Sequence, residues 1–250
     1  MIDFHSHVLP GIDDGAQNSA MSVAMLTTAH ESGVTTVVAT PHCHIHSKDS
    51  IANFLERRET AYNRLRFACK GNNTSVPDII LGAELGVSRE ISKLSGLDKL
   101  CIADTNYILL EMPYSSWEDW MFEEVYRITL LGLRPIMAHL DRFLDHKNHF
   151  SNLYSMNILF QINASAFLEN ATRKKMLNLF ANDAAHVVGS DMHNITSRPP
   201  NLAEAYQIIE KKFGWEYVDF LKNNSSRIVS NKNAIPTRLP KIKGIKKLFI

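Results

Sequence analysis

Apolar and polar positions follow two rhythms along this chain. Short β-branched or apolar runs, IDFH (2–5), TTVVAT (35–40), DIILGAE (78–84), NYILLEMP (106–113), RPIMAH (134–139), LFQINAS (159–165) and HVVGSDMH (186–193), predict seven strands. Between them the spacing turns helical, from Ser19 to Ser32 with Met21, Ala24, Met25 and Leu26 ahead of Gly33, and from Ile51 to Cys69 with Phe54, Leu55, Tyr62 and Leu65. Trp117 to Leu131 and Leu202 to Phe213 repeat the pattern, and Trp117, Trp120 and Trp215 read as packing residues within it. Strands alternating with helices predict an α/β fold with a mostly parallel sheet, which seven strands can close into a barrel. The periodicity fails after Asn223, so residues 1–230 read as one domain and 231–250 as a basic tail.

In parallel barrels the working residues sit where strands end. The first run ends in His5 and His7, with Asp14 in the loop that follows; the second ends in His42, the third in Glu84, the fourth in Glu111 and the fifth in His139. The seventh delivers Asp191 and His193, so six of the seven predicted strand ends carry a histidine or carboxylate. One such residue alone is usually a solvated loop residue, but their convergence on one rim predicts a metal site. The His5 and His7 pair shares a strand face, which a single ion can bridge. Imidazole and carboxylate donors without thiolate suit Mn, Fe, Zn or Mg, and nine candidates exceed the needs of one ion, implying two or three. Clustered ions of this kind activate water and clamp phosphoryl oxygens, so hydrolysis of a phosphate ester is expected. Arg142 and Arg198, in loops just past strand ends, have the planar fork that suits phosphate.

Composition narrows the field. Lys+Arg (27) and Asp+Glu (26) nearly cancel over 250 residues, which disfavours nucleic acid as the main partner. Cys43, Cys69 and Cys101 form no CxxC pair, and none has an arginine six residues on, so a disulfide framework and a thiolate phosphatase loop are both disfavoured. No GxxxxGK[ST] or GxGxxG stretch occurs. In HCHIH (42–46) only His42 closes an apolar run, so Cys43, His44 and His46 read as loop residues after Pro41. The start shows neither a basic segment nor an apolar signal core, and no run reaches membrane-spanning length, which points to the cytoplasm. Six basic residues, Lys232, Arg238, Lys241, Lys243, Lys246 and Lys247, could bring the tail to an anionic membrane, although a solvated tail is the simpler reading.

Taken together, HSH, DDG, ATPH, GAE, the glutamate of LLEMP, AHLDR and SDMHN followed by RPP resemble the polymerase and histidinol phosphatase (PHP) superfamily, and more closely its bacterial manganese-dependent protein-tyrosine phosphatases of capsule and exopolysaccharide systems. The resemblance spans about residues 1 to 230. It implies a distorted (β/α)7 TIM-like barrel and a trinuclear manganese site. His5, His7, Glu84 and Asp191 would hold one ion, Glu84, Glu111 and His139 a second, and Asp14, His42 and His193 a third, with Arg142 and Arg198 on the substrate phosphate. Asp141 stands where that family is expected to carry glutamate. The implied substrate is the tyrosine-phosphorylated tail of a bacterial tyrosine autokinase. The competing readings are a small-molecule phosphoesterase such as a histidinol phosphatase, an exonuclease, and a binding protein that captures phosphorylated tails without hydrolysis.

Overall fold

The computed structural model describes residues 1–45, 47–71, 75–149, 153, 155–181 and 185–235. Nine strands lie within them: β1 Ile2–Ser6, β2 Thr36–Ala39, β3 His42–Cys43, β4 Asp78–Leu81, β5 Glu84–Gly86, β6 Tyr107–Glu111, β7 Arg134–Met137, β8 Leu159–Asn163 and β9 Val187–Gly189. Every pairing is parallel, in a three-stranded set ordered β1-β2-β4 and a six-stranded set ordered β3-β5-β6-β7-β8-β9. The second and third predicted strands are each broken in two. Pro41 lacks the N–H a ladder needs, and Gly82 offers no side chain to pack, so β2 and β4 stay with β1 while β3 and β5 join β6. Seven staves therefore surround one axis. His7 N donates to Met192 O (3.0 Å) and Asp191 N to His5 O (2.8 Å), joining the last stave to the first.

The helices include α1 Ser19–Glu31, α2 Lys48–Gly71, α3 Asp119–Leu130, α4 Ser165–Leu168, α5 Asn170–Ala181, α6 Leu202–Phe213 and α7 Trp215–Val229. The Asn18 side chain caps α1 by accepting from Met21 N at 3.0 Å, and Ser32 closes it before Gly33 at φ +93°. Where a barrel helix would follow β5, the chain makes 3₁₀ turns at Ile91–Lys93 and Leu97–Leu100, and a 3₁₀ stretch, Leu140–His149, follows β7. The expected failure of periodicity after Asn223 is overturned: α7 runs on to Val229, because Leu221, Asn224, Ser225 and Ile228 continue one buried stripe at helical spacing. Trp215, expected to pack, starts α7 with its side chain exposed, whereas Trp117 is buried and donates Nε1–H to Pro113 O (3.0 Å).

The packed unit extends past 230. Tyr107 Oη donates to Lys232 O (2.9 Å) and accepts from Ala234 N (3.1 Å), while Ile235 N donates to Asn224 Oδ1 (2.7 Å). The predicted tail from residue 236 onward lies outside the described residues. No helix among the described residues is long and apolar enough to cross a membrane.

Phe4, Val38, Leu109, Ile136 and Val187, each from a different stave, pack together and fill the barrel toward its N-terminal end. A bulge places one extra residue between Asp3 and Ser6 of β1, relative to Val37 and Ala39 of β2. It lets Phe4 and then His5 and His7 share the interior, although strict alternation would send them to opposite faces. Apolar side chains thus occupy one end of the barrel and ionisable ones the other.

Candidate metal centre

All nine candidate ligands, eight predicted at strand ends and Asp14 in the loop after the first, converge at the C-terminal mouth. Donor atoms of eight of them form overlapping groups in which every atom lies within 4.8 Å of the others: His5, His7 and Glu84; Glu84, Glu111 and His139; His7, Asp14, His42 and His193. Glu84 is the hub, since β5 pairs it with His42 of β3 and points it at His5, His7, His42 and His139, at 3.2, 3.3, 3.0 and 2.6 Å. Asp191 Oδ1 lies 3.6, 3.4 and 3.6 Å from His5 Nε2, His7 Nε2 and His193 Nδ1. Only Asp14 stands on the solvent side, with its carboxylate 3.4 Å from His42 and 3.5 Å from His193. His139 and Asp191 both adopt left-handed backbone, at φ +35° and +54°, a strained conformation for such residues that occurs where a site over-determines it.

Hydrogen bonding around the cluster fixes which ring nitrogens carry protons. Gln161 Oε1 accepts from the His139 backbone N–H at 2.7 Å, so that atom is the oxygen, and His5 Nδ1, 3.1 Å away, must donate to it. His7 Nδ1 donates to Asp13 Oδ2 at 2.7 Å, and His193 Nδ1 to the Asp191 carbonyl at 2.9 Å. The Nε2 atoms of His5 and His7 therefore face each other at 3.1 Å, with Glu84 and Asp191 oxygens beside them. Two carboxylates converging on these ring nitrogens draw positive charge, a proton or a cation, into their midst. Four buried polar atoms of the same cluster, His42 Nδ1, Glu84 Oε2, His139 Nδ1 and His193 Nε2, have no hydrogen-bond partner. An imidazole and carboxylate set with orphaned lone pairs, its rings oriented from behind, fits divalent cations.

The electrostatics agree. Burial opposes charge on His7, but Asp13, Asp191 and Glu84 outweigh it and hold its pKa well above the ordinary imidazole value. Burial likewise opposes charge on His139, which Glu111 and Glu84 raise to about 9. Glu84 and Asp191 are pulled well below the usual carboxylate range against their own desolvation, chiefly by His5 and the neighbouring rings. His193 goes the other way, to about 4, because burial and the nearby His7 disfavour a second positive ring.

Arg142 and Arg198 both reach the mouth, where each donates Nη2–H to Asp191 Oδ2, Arg198 at 2.5 Å. Their side chains are 30% and 35% exposed, so they border solvent as well as the cluster. Arg142 also donates to Tyr114 Oη at 2.8 Å. Asp141, despite its short reach, accepts from Asn163 N at 2.8 Å; burial raises its pKa. Cys43 is buried with its thiol pushed up to about 12, as a structural cysteine should be. His44 does lie in the loop after β3, yet it falls within one 4.8 Å group with His42 and Glu111, its ring stacked 5.6 Å from that of His42. His46 lies outside the described residues.

Sequence reasoning passed over the residues behind the rim. The strand LFQINAS ends in no ionisable group, yet Gln161 and Asn163 tie β8 to the last stave: Gln161 Nε2 donates to Asn163 Oδ1 (2.9 Å) and Asn163 Nδ2 to Asp191 Oδ2 (2.9 Å). Asp13 was overshadowed by Asp14, though it orients His7 and also accepts from Gly15 N and His42 N, both at 3.0 Å. Asp3 anchors Ser190 by accepting from its N (2.7 Å) and Oγ (2.5 Å), which steadies the turn before Asp191. The available signal was amide and carboxylate side chains within strands otherwise destined for burial.

Known proteins share these features. The chain is 30% identical over 240 residues to the tyrosine-protein phosphatase YwqE of Bacillus subtilis, covering 93% of this chain and 92% of that one. It is 30% identical over 233 residues to the tyrosine-protein phosphatase CpsB of Streptococcus pneumoniae, covering 86% and 91%. A crystal structure from a study of those two proteins, described there as unique metal-dependent tyrosine phosphatases, superposes with a TM-score of 0.83 at 26% identity, over 97% of this chain and 100% of the other. The fold alone is shared with the phosphotriesterase homology protein of Escherichia coli, with a TM-score of 0.52 at 13% identity, over 90% of this chain and 97% of that one. Residues 1–230 match the family described as capsular polysaccharide synthesis, CpsB/CapC, and the chain belongs to that family.

Proposed function

We propose that this protein is a divalent-metal-dependent protein-tyrosine phosphatase whose substrate is the phosphorylated tail of a bacterial tyrosine kinase in capsule or exopolysaccharide synthesis. The observation that carries the reading is the meeting of His5 Nε2, His7 Nε2, Glu84 Oε2 and Asp191 Oδ1, with two arginines seated on the far oxygen of the same aspartate. Three ions, manganese in our reading, would be held by His5, His7, Glu84 and Asp191; by Glu84, Glu111 and His139; and by Asp14, His42 and His193. When bound they supply a nucleophile at neutral pH and positive charge for the phosphoryl oxygens. Arg142 and Arg198 contribute the remaining charge, holding the phosphate and stabilising the negative charge that grows on it as the ester bond breaks. Asp191 connects the two functions, with one oxygen toward the histidines and the other toward the arginines. Gln161 and Asp13 keep His5 and His7 in the tautomer whose Nε2 faces inward. Residues 1–235 form the catalytic unit.

The rival chemistry is a small-molecule phosphoesterase using the same rim. Chelated and dialysed protein given manganese should release phosphate from a phosphotyrosine peptide and not from histidinol phosphate. Turnover of histidinol phosphate alone would move the function to small-molecule metabolism, and silence on both would leave a binding protein.

A further inference from the structure

A groove of about 240 Å³ opens beside the cluster, between the loop after β3, the end of β5 and the loop after β6. Its floor is apolar, since Ile45, Val87 and Met112 are almost wholly buried, and Pro113 with the ring of Tyr114 makes one wall. Two features join it to the catalytic mouth. Glu111 lies both in the groove and in the group with Glu84 and His139, and Tyr114, on the groove wall, takes the Arg142 hydrogen bond. A phosphate held at Arg142 and the cluster therefore has this groove as its next neighbour on the Glu111 side.

We propose that the groove seats the aromatic ring of the phosphotyrosine ester and so sets the preference for aryl over alkyl phosphates; this rests on the phosphatase reading above. A closed apolar cavity of roughly 150 Å³ is enough for a benzene ring, so the groove has room for a phenol with some solvent. Tyr114 presents its ring near those of His139 and Phe143, at 6.3 and 5.4 Å, in a cluster that an incoming ring would extend by edge or offset stacking. The described lining holds no lysine or arginine, so the groove offers no cation to a second anionic group on the substrate and suits a neutral ring. The opening depends on Gly86: a Cβ at that position would lie 2.7 Å from His44 Nδ1 and 3.2 Å from its Cε1, on the groove side of β5.

The test compares phenylphosphonate with methylphosphonate, two non-hydrolysable phosphate mimics, titrated calorimetrically into the metal-loaded full-length protein. The wild type should favour the phenyl compound by about tenfold or more, and Gly86→Val, which fills the groove, should bring that preference close to one. A crystal soaked with phenylphosphonate gives a readout that needs no variant, with ring carbons within about 4.5 Å of Met112. Equal affinities in the wild type, an undiminished preference in Gly86→Val, or a ring directed away from Met112 would each overturn the proposal. No turnover enters these measurements, so they separate failure of the groove from failure of phosphotyrosine hydrolysis, which the peptide assay reads on its own.

Discussion

Replacing Gln161 with leucine changes no proposed ligand and should still cripple the site. The side chain is fully buried, and its Oε1 takes protons from His5 Nδ1 and His139 N, at 3.1 and 2.7 Å. Leucine strands both donors, and Asn163 Oδ1 loses the Nε2–H it accepted, which adds to the cost of the two donors. At about 1–3 kcal/mol for each unsatisfied buried group, the metal-free fold should lose about 2–6 kcal/mol, a large part of the stability of an ordinary domain. The loss at the site follows from geometry, because His5 no longer has a partner that fixes its tautomer or its ring plane. Losing such a supporting hydrogen bond typically lowers metal affinity about 10- to 100-fold. Denaturant unfolding of the chelated protein measures the first effect, and manganese titration followed by calorimetry measures the second. Gln161→Glu, which keeps the acceptor oxygen shared by His5 and His139 and loses the donor to Asn163, should bind metal better than Gln161→Leu. Manganese affinity in Gln161→Leu equal to the wild type would refute the argument that Gln161 orients His5.

Other perturbations address other parts of the account. Gly189→Ala would put a Cβ 2.5 Å from His5 Cβ and 2.8 Å from His5 N; its unfolding midpoint should reflect a loss of about 1–3 kcal/mol, and unchanged stability would mean the β1 to β9 approach is looser than described. Asp191→Ala removes the shared acceptor of Arg142, Arg198 and Asn163, so phosphotyrosine turnover should fall by about 10²-fold or more while circular dichroism still reports a folded barrel. Chelation should lower the melting temperature relative to protein held with excess manganese, by about 2.7 kcal/mol of stabilisation for each ion present at 100 times its dissociation constant. His186 gives the pH test: burial lowers its pKa to about 4, and Phe160 N donates to its Nδ1 at 3.1 Å, so it folds neutral. The unfolded state then binds the extra proton, and this contribution, present above about pH 6.5, is lost as pH falls toward 4, about 3 kcal/mol in all. In His186→Gln that segment of the stability curve should flatten; a curve parallel to the wild type would contradict the assignment.

The parts of the site that were legible in the sequence share one physical trait. His5, His42, Glu84, Glu111, His139 and Asp191 each close an apolar run, and a parallel barrel gathers strand ends at one mouth. Gln161 and Asn163 were hidden because an amide carries no charge to mark it as a ligand; its importance comes from partners on other staves, which local pattern does not encode. The splitting of two strands was written in Pro41 and Gly82, but which set each half would join depended on long-range pairing. Helix α7 looked finished at Asn223 because Asn224 and Ser225 are polar. Both are buried, and Asn224 is satisfied by accepting from Ile235 N, in a segment that itself looked like tail.

The central claim is that nine side chains from six staves and one loop hold divalent ions at the barrel mouth. Anomalous-difference maps from crystals equilibrated with manganese test it directly. Peaks are expected at three positions: among His5, His7, Glu84 and Asp191; among Glu84, Glu111 and His139; and among Asp14, His42 and His193. A mouth without anomalous density at saturating manganese, or peaks bound to other residues, would contradict it.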